Sequence, residues 1–118
     1  MLTPTPCWKG WWAVVVPALW PVEVANALLM GERRKRIRPT QIRRFVTLLE
    51  GLSVVADTQS VGSTVNGLLP LAREHKLSAY DAAYLDLAIR EGLPLATLDK
   101  NLQRAARNAG VDLYEENA

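Results

Sequence analysis

Apolar positions along the chain occur in short runs separated by turn-forming and charged residues. Residues 13–16 are a β-branched run that ends at Pro17, which is typical of a strand buried on both faces. Beyond Pro21, a suitable first helical residue, apolar side chains recur at helical spacing as far as the charged segment 32–36. These positions are Val22, Ala25, Leu28 and Leu29. The pattern predicts a strand followed by a helix that ends near Arg36.

The next helix is predicted from Pro39 to Gly51, since its apolar residues fall at i, i+3, i+4 and i+7. The remaining predicted elements are a strand at 53–56, helices at 61–74 and 79–91, a strand at 93–97, a helix at 100–108 and a strand at 111–114. The order β-α-α-β-α-α-β-α-β predicts an α/β fold with a three-layer arrangement, a parallel sheet carrying helices on both faces. Ligands of such sheets bind beyond the carboxyl ends of the strands.

Length and composition are typical of one folded domain spanning residues 1–118. The chain has 118 residues, of which 49% are hydrophobic and 22% charged. The net charge of +2 does not by itself indicate nucleic-acid binding, but seven of the 14 basic residues lie between Arg33 and Arg44. That cluster either attracts phosphate backbones or is a solvated helix end.

The lone cysteine and the apolar stretch near the N-terminus bear on the cellular compartment expected for the protein. Cys7 has no intrachain disulfide partner, which favours a reducing cytoplasm. The apolar stretch 11–30 resembles a signal or membrane segment, but Pro17, Pro21 and Glu23 interrupt it. We therefore expect a strand, a turn and a helix start there, and no membrane association.

Three acids stand at predicted helix starts, namely Glu23, Asp81 and Asp99. Each has a structural explanation, because negative charge is favourable at a helix N-terminus. Ser78 and Asp81 have the spacing of a capping box, and Asp99 is a suitable N-cap. Alternatively, acids that follow parallel strands converge at one sheet edge and bind Mg²⁺ or Mn²⁺ through oxygen ligands. Local pattern leaves both interpretations open.

Three segments together resemble the PIN domain of VapC-like ribonuclease toxins, and the resemblance covers residues 13–114. They are VPALWPVEVANAL at 16–28, LSAYDAAYLDLA at 77–88 and LATLDKNL at 95–102. The resemblance implies a metal-dependent endoribonuclease in which Glu23, Asp81 and Asp99 hold Mg²⁺ or Mn²⁺ and water attacks an RNA phosphodiester. It implies that Thr97 orients the last acid or a bound water. Asn26 and Asp86 are candidates for hydrogen bonds beside the ligands, with helix packing and a surface position as the respective alternatives.

The same resemblance implies partners. They are the RNA substrate, a cognate antitoxin whose peptide occupies a groove beside the acids, and a second copy of the chain in a homodimer. The basic residues expected to contact RNA are Arg33, Arg34, Lys35 and Arg36.

The N-terminus departs from the family pattern. PIN domains normally open with a strand ending in an aspartate and a helix, whereas residues 1–12 contain three tryptophans and no acid. We expect rearranged strands or an exchanged partner element to fill this gap. The alternative function is an impaired or inactive PIN relic that binds an antitoxin or self-associates. A plain nucleic-acid-binding module that uses the basic cluster is a third possibility.

Overall fold

The computed structural model describes residues 14–114 together with the backbone of residues 3–4. Cys7 and the three tryptophans mentioned above, Trp8, Trp11 and Trp12, lie outside this part of the chain.

Strands and helices follow one another in an α/β order, as predicted. The elements are β1 (Thr3–Pro4), β2 (Val14–Val16), α1 (Trp20–Arg33), α2 (Pro39–Glu50), β3 (Val54–Ala56), α3 (Val61–His75), α4 (Ala79–Glu91) and α5 (Lys100–Asn108). The bounds of α4 and α5 agree with those predicted from periodicity and capping residues. Left-handed Gly92, with φ of 63°, ends α4 because glycine adopts this conformation without a steric penalty.

The first helix ends three residues earlier than predicted. Lys35 adopts a left-handed conformation with φ of 57°, which turns the chain out of the helix. The amide N–H groups of Arg36 and Ile37 then both donate to the carbonyl oxygen of Gly31, at 2.9 and 3.4 Å. This terminal turn satisfies the last carbonyl groups, so the charged segment leaves the helix as an exposed loop.

The sheet has three strands in the order β1-β2-β3. β2 and β3 are parallel, with Val14 opposite Val54 and Val16 opposite Ala56. β1 is antiparallel to β2, with Thr3 opposite Val15. An N-terminal segment thus covers the second edge of β2, in agreement with the expectation of rearranged strands, although its direction departs from a wholly parallel sheet.

Within the described residues, the two C-terminal strands predicted at 93–97 and 111–114 are represented by a parallel bridge between Leu95 and Leu113. Leu95 N–H donates to Asp112 O, and Tyr114 N–H donates to Leu95 O, each at 2.8 Å. Pro94 has no N–H to extend the ladder on one side. The prediction of full strands was therefore wrong in length, although both bridged residues lie within the predicted segments.

The core forms around α4, which packs against α3 and α5. Its central cluster comprises Tyr84, Leu85, Ala88, Leu95, Leu102, Ala105 and Ala106. By contrast, α1, α2 and α3 contain no fully buried residue. Within the described part of the chain, none of the helices combines the length and apolar character needed to cross a membrane.

Candidate functional site

The three predicted acids all lie at helix starts. Glu23 is in the first turn of α1, directly after β2, and Asp81 is in the first turn of α4. Asp99 is the N-cap of α5 and follows the bridged residue Leu95. Each of the three acids therefore lies within the first turn or at the cap of its own helix.

The pKa of Asp81 reflects both its partial burial and the charges of the two other acids. Partial burial raises the pKa of this carboxyl above its usual value, and the negative charges of Asp99 and Glu23 raise it further. A hydrogen bond with Ser78 opposes the shift. The charges of Asp99 and Glu23 thus act on Asp81, although the three acids are far apart in sequence.

Glu23 is tied to α4 by a buried tyrosine that sequence analysis did not single out. Tyr84 Oη donates a hydrogen bond of 2.5 Å to Glu23 Oε1, across 61 residues of sequence. Burial and the contact with Glu23 both raise the pKa of the Tyr84 phenol, so its hydroxyl remains a donor at physiological pH. The signal in the sequence was the position of Tyr84 three residues after Asp81, on the same side of a helix.

Asp99 is fixed by the turn that precedes α5. Its carboxylate accepts from Leu102 N–H at 2.9 Å, and its own N–H donates to Thr97 Oγ1 at 3.0 Å. Thr97 O in turn accepts from the Gln103 side-chain amide at 2.9 Å. Thr97 thus contacts Asp99, as the resemblance implied, and does so through the backbone of the acid.

The capping interpretation is confirmed for Asp99 and for the Ser78 half of the predicted capping box. Ser78 Oγ accepts from Asp81 N–H at 3.1 Å and caps α4, while Asp99 caps α5. Capping and convergence are therefore compatible, because a capping position places a side chain at the helix end where the acids meet.

Asp86, whose role the sequence left open, forms an ion pair on its own helix. Arg90 Nε donates to Asp86 Oδ2 at 2.8 Å, and Arg90 Nη2 donates to Asp57 Oδ2 at 2.7 Å. Hydrogen bonds to Asp57 and Asp86 raise the pKa of the Arg90 guanidinium. This ion triad was missed, although the i, i+4 spacing of Asp86 and Arg90 is a recognisable signal.

The other predicted residues are exposed on α1 and the loop after it. Asn26 lies one turn beyond Glu23 and is exposed. The basic residues Arg33, Arg34, Lys35 and Arg36 are exposed at the opposite end of α1 from Glu23. Ten residues of helix place Arg33 about 15 Å from Glu23 along the axis.

Oxygen donors and concentrated negative charge make the acids chemically suited to a hard divalent cation. Across residues 14–114, however, no three side chains of His, Cys, Asp or Glu are arranged closely enough to hold an ion together. Glu23 and Asp99 are instead engaged by Tyr84 and Leu102. The donor set fits Mg²⁺ or Mn²⁺ in chemistry and charge, and coordination would require the side chains to move closer together.

Comparison with known proteins indicates the family to which the chain belongs. Residues 7–108 match the family described as PIN domain. The chain is 32% identical over 80 residues to Ribonuclease VapC3 of Pyrobaculum aerophilum, covering 68% of this chain and 61% of that protein. It also resembles the crystal structure of PAE2754 from Pyrobaculum aerophilum, with a TM-score of 0.63 and 28% identity over 77% of this chain and 60% of that one. The chain thus spans about three fifths of the length of each of these relatives. Fold, motifs and relatives together show that the chain belongs to the PIN-domain family.

Proposed function

We propose that the protein is a metal-dependent endoribonuclease that hydrolyses RNA phosphodiester bonds, as the toxin of a toxin–antitoxin pair. The observation that supports this most is the raised pKa of Asp81, to which burial contributes most and the negative charges of Asp99 and Glu23 add. A structural acid gains nothing from such neighbours, whereas a cation site requires them. The similarity to a protein named Ribonuclease VapC3 supports the same activity.

In this proposal Glu23, Asp81 and Asp99 hold Mg²⁺ or Mn²⁺. A bound ion would lower the pKa of a coordinated water and stabilise the negative charge that develops on the phosphate. The chain contributes the positions of the carboxylates: the Leu102 amide fixes Asp99, Ser78 fixes the first turn of α4, and α1 presents Glu23. In the same proposal, Asn26 and Thr97 hydrogen-bond beside these acids.

The proposed partners are RNA, a cognate antitoxin and a second copy of the chain, in the cytoplasm. Arg33, Arg34, Lys35 and Arg36 offer an exposed basic track for phosphates. An open apolar groove of about 380 Å³ between α1, α2 and the sheet offers a surface for a partner peptide. Val24, Leu28 and Leu49 are among its lining residues.

A catalytically impaired PIN relic is the second candidate. Two observations favour it: the acids described do not form a closed ligand set, and Glu23 and Asp99 already have hydrogen-bond donors. In that case the protein binds an antitoxin or itself and cleaves nothing.

Cleavage of a mixed RNA substrate with Mg²⁺ or Mn²⁺ distinguishes the two. Asp99→Asn is the informative variant, because asparagine keeps the helix cap and removes only the charge. Exposed Asp112→Asn is the matched control. Cleavage that is abolished by EDTA and by Asp99→Asn, but retained in Asp112→Asn, supports the enzyme. No cleavage at any metal concentration contradicts it and favours the relic.

A further inference from the structure

Tyr84 is the buried side chain with the most direct connection to the acids. Its residue is 2% exposed and belongs to the central cluster with Leu85, Leu95 and Leu102. Packing on all sides leaves the aromatic ring little freedom, so the hydroxyl at its end has a fixed position. That hydroxyl donates to Glu23 Oε1.

A buried tyrosine hydroxyl needs a hydrogen-bond acceptor, and this need alone would explain the contact of Tyr84 with Glu23. The acceptor is unusual, however, because Glu23 is an exposed residue on another helix and its charge acts on Asp81. An unrestrained glutamate has several rotatable bonds and would move away from Asp81 into solvent. The hydrogen bond from Tyr84 opposes that movement.

Because Tyr84 lies on α4 close to Asp81, its contact with Glu23 also affects the region around Asp81. Asp81 is three residues earlier on the same helix and hydrogen-bonds Ser78 at the cap. The phenol therefore connects the turn that bears Asp81 with the turn of α1 that bears Glu23. A donor behind a ligand carboxylate holds its orientation and strengthens metal binding.

We infer that Tyr84 is a positioning residue that holds the Glu23 carboxylate beside Asp81 and so prepares the acids for a divalent cation. This inference rests on the proposed function. It adds a residue that touches neither metal nor RNA and acts only through Glu23.

Binding of Mn²⁺ to the full chain, measured by electron paramagnetic resonance and calorimetry, tests the inference without reference to catalysis. Tyr84→Phe keeps the ring and removes the hydroxyl, and we expect Mn²⁺ affinity to fall about 10- to 100-fold. Tyr80→Phe is the matched control, since Tyr80 is 66% exposed on the same helix, and its affinity should equal that of the wild type.

A second pair of variants separates positioning from a general structural effect. In a Glu23→Gln background, Tyr84→Phe should lower Mn²⁺ affinity much less than it does alone. The reason is that the Glu23 carboxylate, through which Tyr84 acts, is already absent. Glu23→Asp retains the charge on a side chain too short for the same contact, and it should weaken Mn²⁺ binding even if Tyr84→Phe does not fold.

The outcomes are distinguishable. Wild-type protein that binds Mn²⁺, with Tyr84→Phe or Glu23→Asp binding it equally well, overturns the inference and leaves the proposed function standing. An equal loss from Tyr84→Phe with and without Glu23→Gln also overturns it. Wild-type protein that binds no Mn²⁺ overturns the proposed function and this inference together.

Discussion

Individual acids in this protein have both a local and a long-range role. Asp99 caps α5 through Leu102 N–H and also raises the pKa of Asp81. The local role stabilises a helix end, whereas the long-range role opposes folding while the acids are ionised and no cation is present. The two roles can be separated experimentally, because asparagine retains the first and removes the second.

Substitution of Asp81 should change how stability depends on pH. Burial and the charges of Asp99 and Glu23 raise the pKa of Asp81 above 3.8, so the folded state holds this proton to higher pH than the unfolded chain. The free energy of unfolding contributed by this group therefore falls as pH rises from 3.8 through the raised pKa. In Asp81→Asn this loss should be absent.

Denaturant unfolding in EDTA at several pH values between 4 and 7 measures this effect. The stability difference between variant and wild type should shift in favour of Asp81→Asn as pH rises. Asp112→Asn, an exposed acid outside the three, should follow the wild type. Parallel curves for Asp81→Asn and wild type would show that folding does not raise the pKa of Asp81.

Local sequence pattern was enough to find the acids but not all of their contacts. Glu23, Asp81 and Asp99 were identifiable because helix starts and family motifs are short-range features. Tyr84 was not, because its hydrogen bond to Glu23 joins residues 61 apart and depends on how α1 and α4 pack. A helical tyrosine with apolar neighbours is ordinarily a core residue, and Tyr84 is that as well.

α4 organises the molecule at the scale of elements. Its first turn bears Asp81, its middle forms the core, and its last turn bears Arg90. Arg90 pairs with Asp57 at the end of β3. The backbone N–H of Asp57 donates to Val16 O of β2 at 2.8 Å. One helix is thereby connected to the acids at its start and to the sheet at its end.

Loss of the Arg90 guanidinium should loosen this connection. In Arg90→Met the apolar stem remains, while two carboxylates with 16–17% side-chain exposure lose their counter-charge. We expect a loss of about 1–3 kcal/mol in free energy of unfolding, less than for a fully buried ion pair. Chemical denaturation at neutral pH measures it.

Exposed Arg44→Met provides the comparison for Arg90→Met and should change stability by less than about 0.5 kcal/mol. A double-mutant cycle with Asp57→Asn should show coupling, because the two side chains share a hydrogen bond of 2.7 Å. Additive effects would mean that the triad does not connect α4 to the sheet.

Helices were predictable at this scale and strands were less so. The bounds of α4 and α5 agreed with the prediction because Ser78, Asp99 and Gly92 act as caps in the structure. Strand length depends on which segment lies alongside, and that information is not local. Pairing of β1 with β2 and the short bridge at Leu95 were therefore beyond sequence pattern.

At the scale of the whole molecule, the acids and the basic segment are separated in space. The acids gather at the starts of α1, α4 and α5, while the basic segment lies at the end of α1 and in the loop after it. An RNA strand that reaches the acids would have to span about 15 Å of helix to contact Arg33.

Neutralisation of the basic segment should reduce the salt dependence of RNA binding. The variant replaces Arg33, Arg34, Lys35 and Arg36 with glutamine. If each side chain contacts a phosphate, the slope of log K against log salt should decrease by about 3, at about 0.7 per contact for single-stranded RNA. Fluorescence anisotropy with catalytically silent Asp99→Asn protein at several salt concentrations measures the slope.

The matched control for this salt experiment neutralises four exposed basic residues elsewhere. These residues are Arg73, Lys76, Arg104 and Arg107. Both variants lose the same net charge, so an equal change in slope would show that only overall charge matters and would contradict a defined basic track.

Apolar surface on α1 and α2 predicts association. Neither helix has a fully buried residue, and Leu48 and Leu52 are 65% and 63% exposed. Val46 borders both the groove of about 380 Å³ and a second apolar cleft of about 400 Å³ between the two helices. A soluble chain rarely leaves such contiguous apolar surface uncovered.

We therefore expect the chain without an antitoxin to self-associate at micromolar concentration, with light scattering and sedimentation velocity as the measurements. Val46→Lys places a charge where the two clefts meet and should shift the protein toward monomer, because burying an unpaired lysine is costly. Val61→Lys, at an 82% exposed position on α3, should leave association unchanged. A stable wild-type monomer with ordinary thermal cooperativity would contradict the expectation, since α1 and α2 would then be stable without a partner.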